Sequence, residues 1–135
     1  MNAARKPRVS EVVFDSSVLI AILQREPFDP IVLDLLEDAV LSTVNLAEVI
    51  SKQVEIGAFS APAAERLFAS LKRIEPLSAV QGRICGALRG PTRNAGLSLG
   101  DRCCLALAIE LGAEVYTAER MWAQVDVACK VHLIR

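Results

Sequence analysis

Short apolar runs rich in β-branched residues alternate along this chain with longer stretches in which apolar residues recur every three or four positions. Val12-Val13-Phe14, Ala39-Val40-Leu41, Val115-Tyr116-Thr117 and Val131-His132-Leu133-Ile134 are of the first kind. With Arg73-Ile74 they predict strands at 12–15, 39–42, 73–77, 114–117 and 130–134. The intervening stretches predict helices at 16–24, 30–37, 44–56, 62–71, 79–88 and 99–111, a short helical turn around 120–124 and an irregular loop over 90–96. Asp29-Pro30 reads as an N-cap and first helical residue, Gly57 and Gly112 as helix stops. Ser98 with Asp101, and Ser78 with Gln81, have capping-box spacing. Strands alternating with helices point to an α/β fold on a parallel sheet.

Composition narrows this picture. A chain of 135 residues suits one domain, here residues 11–135 behind a short N-terminal tail, 1–10. The tail carries Arg5, Lys6 and Arg8 with no apolar run behind them, so neither a signal peptide nor a membrane anchor is expected, and the location read from it is cytoplasmic. Hydrophobic residues make up 53% and mean hydropathy is +0.37. That excess fits a dimer face, a partner groove or a large core. Cys85, Cys103, Cys104 and Cys129 lack Cys-x-x-Cys spacing and read as reduced, buried small hydrophobes.

The net charge of −1 does not mark a nucleic-acid binder, but the charges are segregated. Residues 76–100 hold Arg83, Arg89 and Arg93 without an Asp or Glu, and Arg102 and Arg120 adjoin acids. Such arginines either guide a phosphodiester backbone, with Arg93, Arg102 and Arg120 the candidates, or sit on solvated helix faces.

The candidate chemistry lies in four carboxylates. Asp15 ends the first strand, Glu48 lies in the helix after the second, Asp101 opens a helix and Glu119 follows the fourth strand. Each has a structural alternative. Asp15 suits an N-cap, although Ser16 or Ser17 could serve instead. Asp101 suits a capping box and Glu119 a helix first turn. Glu48 shares a polar face with Asn45, Ser51, Lys52 and Glu55, opposite Leu46, Val49, Ile50 and Val54, where a pair with Lys52 adds roughly 0.2–0.5 kcal/mol. Taken together, acids at successive strand ends converge on the crevice beyond the carboxyl edge of an open sheet, where α/β folds bind ligands. Without a cation they would repel, and oxygen-only ligands favour Mg²⁺ or Mn²⁺ over zinc. The only histidine, His132, sits in the last apolar run and reads as an edge-strand residue. With no His or nucleophilic Ser arrangement near the acids, hydrolysis would need a metal-activated water, chemistry suited to phosphodiester cleavage.

Four segments in order carry a resemblance: Val13-Phe14-Asp15-Ser16-Ser17-Val18-Leu19-Ile20-Ala21, Ser42-Thr43-Val44-Asn45-Leu46-Ala47-Glu48-Val49, Leu97-Ser98-Leu99-Gly100-Asp101-Arg102 and Tyr116-Thr117-Ala118-Glu119-Arg120-Met121-Trp122. Nearly end to end, the chain resembles PIN-domain ribonucleases, and most closely the VapC-like toxins of bacterial toxin–antitoxin pairs. The resemblance implies a three-layer α/β/α sandwich around a parallel sheet and a Mg²⁺- or Mn²⁺-dependent endoribonuclease. It also implies a homodimer, and a cognate antitoxin that inhibits it in a hetero-oligomer. It makes Asp15 and Asp101 the main metal ligands, Glu48 and Glu119 the rest of the acidic pocket, and Ser17 and Thr117 auxiliary groups that orient water or a carboxylate. One departure stands out: the family usually has Asp after Thr-Ala, where this chain has Glu119. The added methylene moves the carboxylate outward, and Asp126, in a stretch expected at the surface, is a weak substitute as a ligand. Trp122 fits base stacking or packing beside the sheet. A receiver-like domain fits poorly, since Ser16-Ser17 follows Asp15 and Lys130 begins its strand. A catalytically silent PIN-like module and a housekeeping RNA-processing nuclease remain the other readings.

Overall fold

The computed structural model describes residues 11–135, so the expectations placed on the tail at 1–10 lie outside the described residues. Five parallel strands, β1 (Val12–Phe14), β2 (Ala39–Ser42), β3 (Arg73–Glu75), β4 (Glu114–Thr117) and β5 (Val131–Leu133), form one sheet in the order β3-β2-β1-β4-β5. The helices are α1 (Ser16–Leu23), α2 (Ile31–Leu35), α3 (Thr43–Glu55), α4 (Ala61–Ser70), α5 (Ala79–Ala87), α6 (Arg89–Thr92) and α7 (Leu99–Leu111), with 3₁₀ turns at Leu36–Asp38 and Arg120–Gln124.

Side chains alternate across a strand, and this divides the core in two. Val12, Phe14, Ala39 and Leu41 meet Val18, Leu19, Val49, Ala64, Leu67 and Phe68 from α1, α3 and α4. Val13, Val40 and Val115 meet Cys85, Cys103, Cys104, Leu105 and Leu107 from α5 and α7 on the opposite face. The fold is therefore the expected α/β/α sandwich. Its near-continuous apolar strands are those of a sheet covered on both sides.

Chain order fixes the place of the site. The chain runs outward from β1 through β2 to β3, then returns to the other side of β1 for β4 and β5. The direction of winding reverses between β1 and β4, and the carboxyl ends of those two strands flank the crevice where such sheets bind ligands. Asp15 follows β1, and Ala118-Glu119 follow β4.

Several local expectations change. β3 stops at Glu75 because Pro76 has no N–H to continue a ladder. The loop expected over 90–96 holds the helical turn α6, which tolerates Pro91 in its first turn and is tied by Thr92 Oγ1 donating to Leu88 O at 2.6 Å. The 30–37 helix splits, with Asp29 Oδ1 accepting from Ile31 N at 3.0 Å before a 3₁₀ turn takes over at Leu36. The Ser78 box is half formed: Ser78 Oγ accepts from Gln81 N, while the buried Gln81 side chain donates to Pro76 O and Glu110. Gly112 closes α7 at φ +63°, a left-handed conformation that glycine adopts freely.

Trp122 is fully buried among the α7 cluster, so it is a packing residue and cannot stack on a base. His132 lies on the edge strand, stacked on Tyr116 at 4.6 Å with Nε2 2.5 Å from Glu114 Oε1. The thiols are free, with Cys103 pushed up to about 12 and Cys129 to about 11 by burial. Protonated thiols are poor nucleophiles and poor metal ligands.

Candidate functional site

Asp15 is placed by the strand-to-helix junction. Its backbone N–H extends the ladder to Tyr116 O at 3.0 Å, and its side chain turns back to cap α1, where Ser17 N donates to Oδ2 at 3.3 Å. The capping alternative is thus correct for one oxygen. Oδ2 also accepts from Ser17 Oγ at 2.6 Å and from Thr117 Oγ1 at 3.1 Å. Each hydroxyl is in turn fixed by a backbone N–H from the end of β4, Ala118 N to Ser17 Oγ at 2.9 Å and Glu119 N to Thr117 Oγ1 at 3.0 Å. The two hydroxyls also lie 3.3 Å apart, so Asp15, Ser17 and Thr117 form one connected network.

The other oxygen differs. Asp15 Oδ1 is buried without a hydrogen-bond partner among the described residues. Burial pushes the Asp15 carboxyl up to about 7, the Ser17 hydrogen bond opposes this, and the nearby Asp101 carboxylate adds to the rise. A buried carboxylate with one saturated oxygen and one orphaned oxygen costs free energy unless something positive meets it. The site's donor set is oxygen-only, so a hard divalent cation fits it.

Asp101 occupies the N3 position of α7 in a full capping box. Its Oδ2 accepts from Ser98 N at 2.9 Å, and Ser98 Oγ accepts from Asp101 N at 3.2 Å. Its charge reaches Asp15, so this acid both caps a helix and shares the field of the crevice. Because Ser98 N–H survives truncation at the side chain, Ser98→Ala should lower stability by about 1 kcal/mol and leave the Asp101 carboxylate in place. Urea titration beside a cleavage assay checks this. A parallel collapse of cleavage would show that the hydroxyl, and not the backbone N–H, orients the acid.

Glu48 is half-buried, and α3 shows a different face from the one its pattern predicts. Asn45 is fully buried and Val54 is 58% exposed. Asn45 Nδ2 donates to Glu48 Oε1 at 2.7 Å and to Gly100 O at 3.2 Å, so α3 reaches the start of α7. No ion pair joins Glu48 to Lys52 among the described residues. The fully buried Cys104 thiol is pushed up chiefly by burial, with the charges of Asp15, Asp101 and Glu48 adding to the rise.

Glu119 stands apart. It is exposed at the head of the 3₁₀ turn, caps nothing with its side chain, and is tied to the network only through its N–H. Asp126 is exposed, as expected. Among the described residues no group of three His, Cys, Asp or Glu side chains is placed to hold a metal ion. Arg93 and Arg120 are exposed, whereas Arg102 is half-buried with Nη1 donating to Cys85 O at 3.2 Å. That bond draws Arg102 toward α5, an attachment that arginine counting cannot reveal. The sequence pattern places Asn45 on the face of Glu48, as Asn-x-x-Glu spacing requires, but gives neither it nor Gly100 a role at the site. A surface depression of about 570 Å³, lined by Pro27, Phe28, Asp29, Pro30, Leu133, Ile134 and Arg135, contains none of the four acids.

The family model of the PIN domain matches residues 12–128. No curated protein sequence matches the chain. Among similar solved structures, VapBC2 from Rickettsia felis bound to a DNA fragment from their promoter gives a TM-score of 0.69 at 17% identity over 92% of this chain and 98% of that one. VapC20 of Mycobacterium tuberculosis, a sarcin-ricin loop cleaving toxin, gives 0.65 at 16% identity over 89% and 99%. VapBC-5 of the same organism gives 0.60 at 24% identity over 93% and 98%. These likenesses concern the fold, which agrees with the sheet order and the two-sided core. With a family model running from β1 almost to β5, the chain belongs to the PIN-domain family.

Proposed function

We propose that the protein is a Mg²⁺- or Mn²⁺-dependent endoribonuclease and the toxin of a toxin–antitoxin pair. The observation that carries this reading is Asp15, whose Oδ2 is saturated by Ser17 and Thr117 while Oδ1 is buried and unpartnered at the switch point of a PIN-domain sheet. Asp15 and Asp101 are the principal donors to the cation, and Glu48 completes the set. Glu119, exposed and one methylene longer than the usual Asp, borders the pocket. When bound, a divalent cation lowers the pKa of water and stabilises charge developing on phosphate oxygens. Ser17 and Thr117 fix the Asp15 carboxylate. Arg93 and Arg120 offer exposed positive charge to the RNA backbone, contacts that set position without reading sequence.

The partner side rests on surface chemistry. Val54, Ile56 and Phe59 stay exposed along α3 and the turn after it, and Val80 and Leu99 on α5 and α7. Such surface suits a homodimer and the apolar face of an antitoxin segment. No helix among the described residues is long and apolar enough to cross a membrane. RNA incubated with purified protein should yield discrete fragments with Mg²⁺ or Mn²⁺ and none with EDTA. A folded protein that cleaves nothing under any of these conditions would replace this reading with that of a catalytically silent module.

A further inference from the structure

Of the seven glycines, Gly100 is the only one whose missing Cβ would meet another group within 4 Å. That place is held by the Glu48 carboxylate, whose Oε2, Cδ and Oε1 all lie under 3.0 Å from where the Cβ would be, closer than real Cβ contacts come. The backbone of Gly100 is ordinary helix, so its φ does not explain the residue. The space does. The same carboxylate is gripped from α3 by Asn45, whose Nδ2 donates both to Glu48 Oε1 and to Gly100 O. Both neighbours are acceptors only, which fixes the orientation of the amide. Asn45 Oδ1 is buried and unpartnered among the described residues, so this amide is placed for what its nitrogen does.

We propose that Asn45 and Gly100 are positioning residues which together dock the Glu48 carboxylate against the first turn of α7, directly before Asp101. The proposal rests on the reading of Asp15, Asp101 and Glu48 as a cation site. Gly100 supplies the room and Asn45 the grip. A carboxylate on a flexible stem would otherwise sample solvent, and holding it ready lowers the ordering cost when a cation arrives.

Gly100→Ala separates placement from folding. Alanine is the better helix former, and the group it displaces is the far end of a flexible side chain, so the thermal midpoint should equal or exceed that of the wild type. The readout is free Mn²⁺ by electron paramagnetic resonance, which needs no nuclease activity. Gly100→Ala and Asn45→Ala should each weaken Mn²⁺ binding about ten- to a hundredfold, the range for partners that orient metal ligands. Adding Gly100→Ala to Glu48→Gln should cost nothing more, because the charge being placed is already gone. Wild-type affinity in Gly100→Ala and Asn45→Ala beside a weakened Glu48→Gln overturns the docking proposal and leaves the cation site standing. Wild-type affinity in Glu48→Gln also overturns it, since nothing of consequence is then being held. A wild-type protein that binds no Mn²⁺ overturns the cation site and the docking with it.

Discussion

Asp15→Asn should yield a folded protein whose RNA cleavage falls by about a thousandfold or more, the equivalent of roughly 4 kcal/mol of transition-state stabilisation. The expectation follows from the two oxygens of one side chain. Oδ2 accepts three bonds from Ser17 and Thr117, which an amide oxygen can largely reproduce. Oδ1 has no partner, and in the variant the NH₂ group takes its place. The variant therefore keeps the cap on α1 and the tie to β4, while an uncharged donor stands where a cation needs a charged acceptor. Single-turnover cleavage of a fixed RNA, beside circular dichroism to establish folding, measures the effect. Cleavage within tenfold of wild type by a folded variant would remove Asp15 from the site and leave its buried charge unexplained.

The alternation of apolar strands and periodic helices was enough to place every strand and the two-layered helix cover, because burial on both faces of a parallel sheet leaves little freedom in composition. It was also enough to bring Asp15 and Glu119 to neighbouring strand ends, since chain order determines the switch point once the strands are known. What the pattern could not reveal was which atom of each acid is already engaged. Asp15 is both a cap and a charge with a free oxygen, and Asp101 is a capping-box residue whose charge is felt across the crevice. For Asp15 the structural reading occupies one oxygen, Oδ2, and the proposed cation would use the other, Oδ1. The polar face of α3 was misread for a related reason. Periodicity assumes that polar residues face solvent, whereas Asn45 is buried by a contact with Gly100, 55 positions away, a tertiary fact no local pattern encodes.

In EDTA, the stability of the wild-type protein relative to Asp15→Asn should fall as pH rises from about 4 to about 7. The sign follows from proton counts. The unfolded Asp15 carboxyl titrates at its ordinary 3.8 and the folded one near 7, chiefly because burial penalises the charge. Between those values the native state holds the proton that the unfolded state has released, so the free energy of unfolding declines with pH. A shift of this size corresponds to about 4 kcal/mol at pH 8. Surface carboxylates tend to act in the opposite direction, so the diagnostic quantity is wild type minus Asp15→Asn in urea titrations at pH 4.5, 6 and 8. Mn²⁺ should then restore stability most above pH 7, where no proton competes for Asp15, by an amount that grows with the logarithm of metal concentration. A difference between the two proteins that stays flat with pH would mean that Asp15 is ionised in the native state at all these values. A buried carboxylate held charged without metal would in turn require a positive partner in the crevice other than the cation assigned to it.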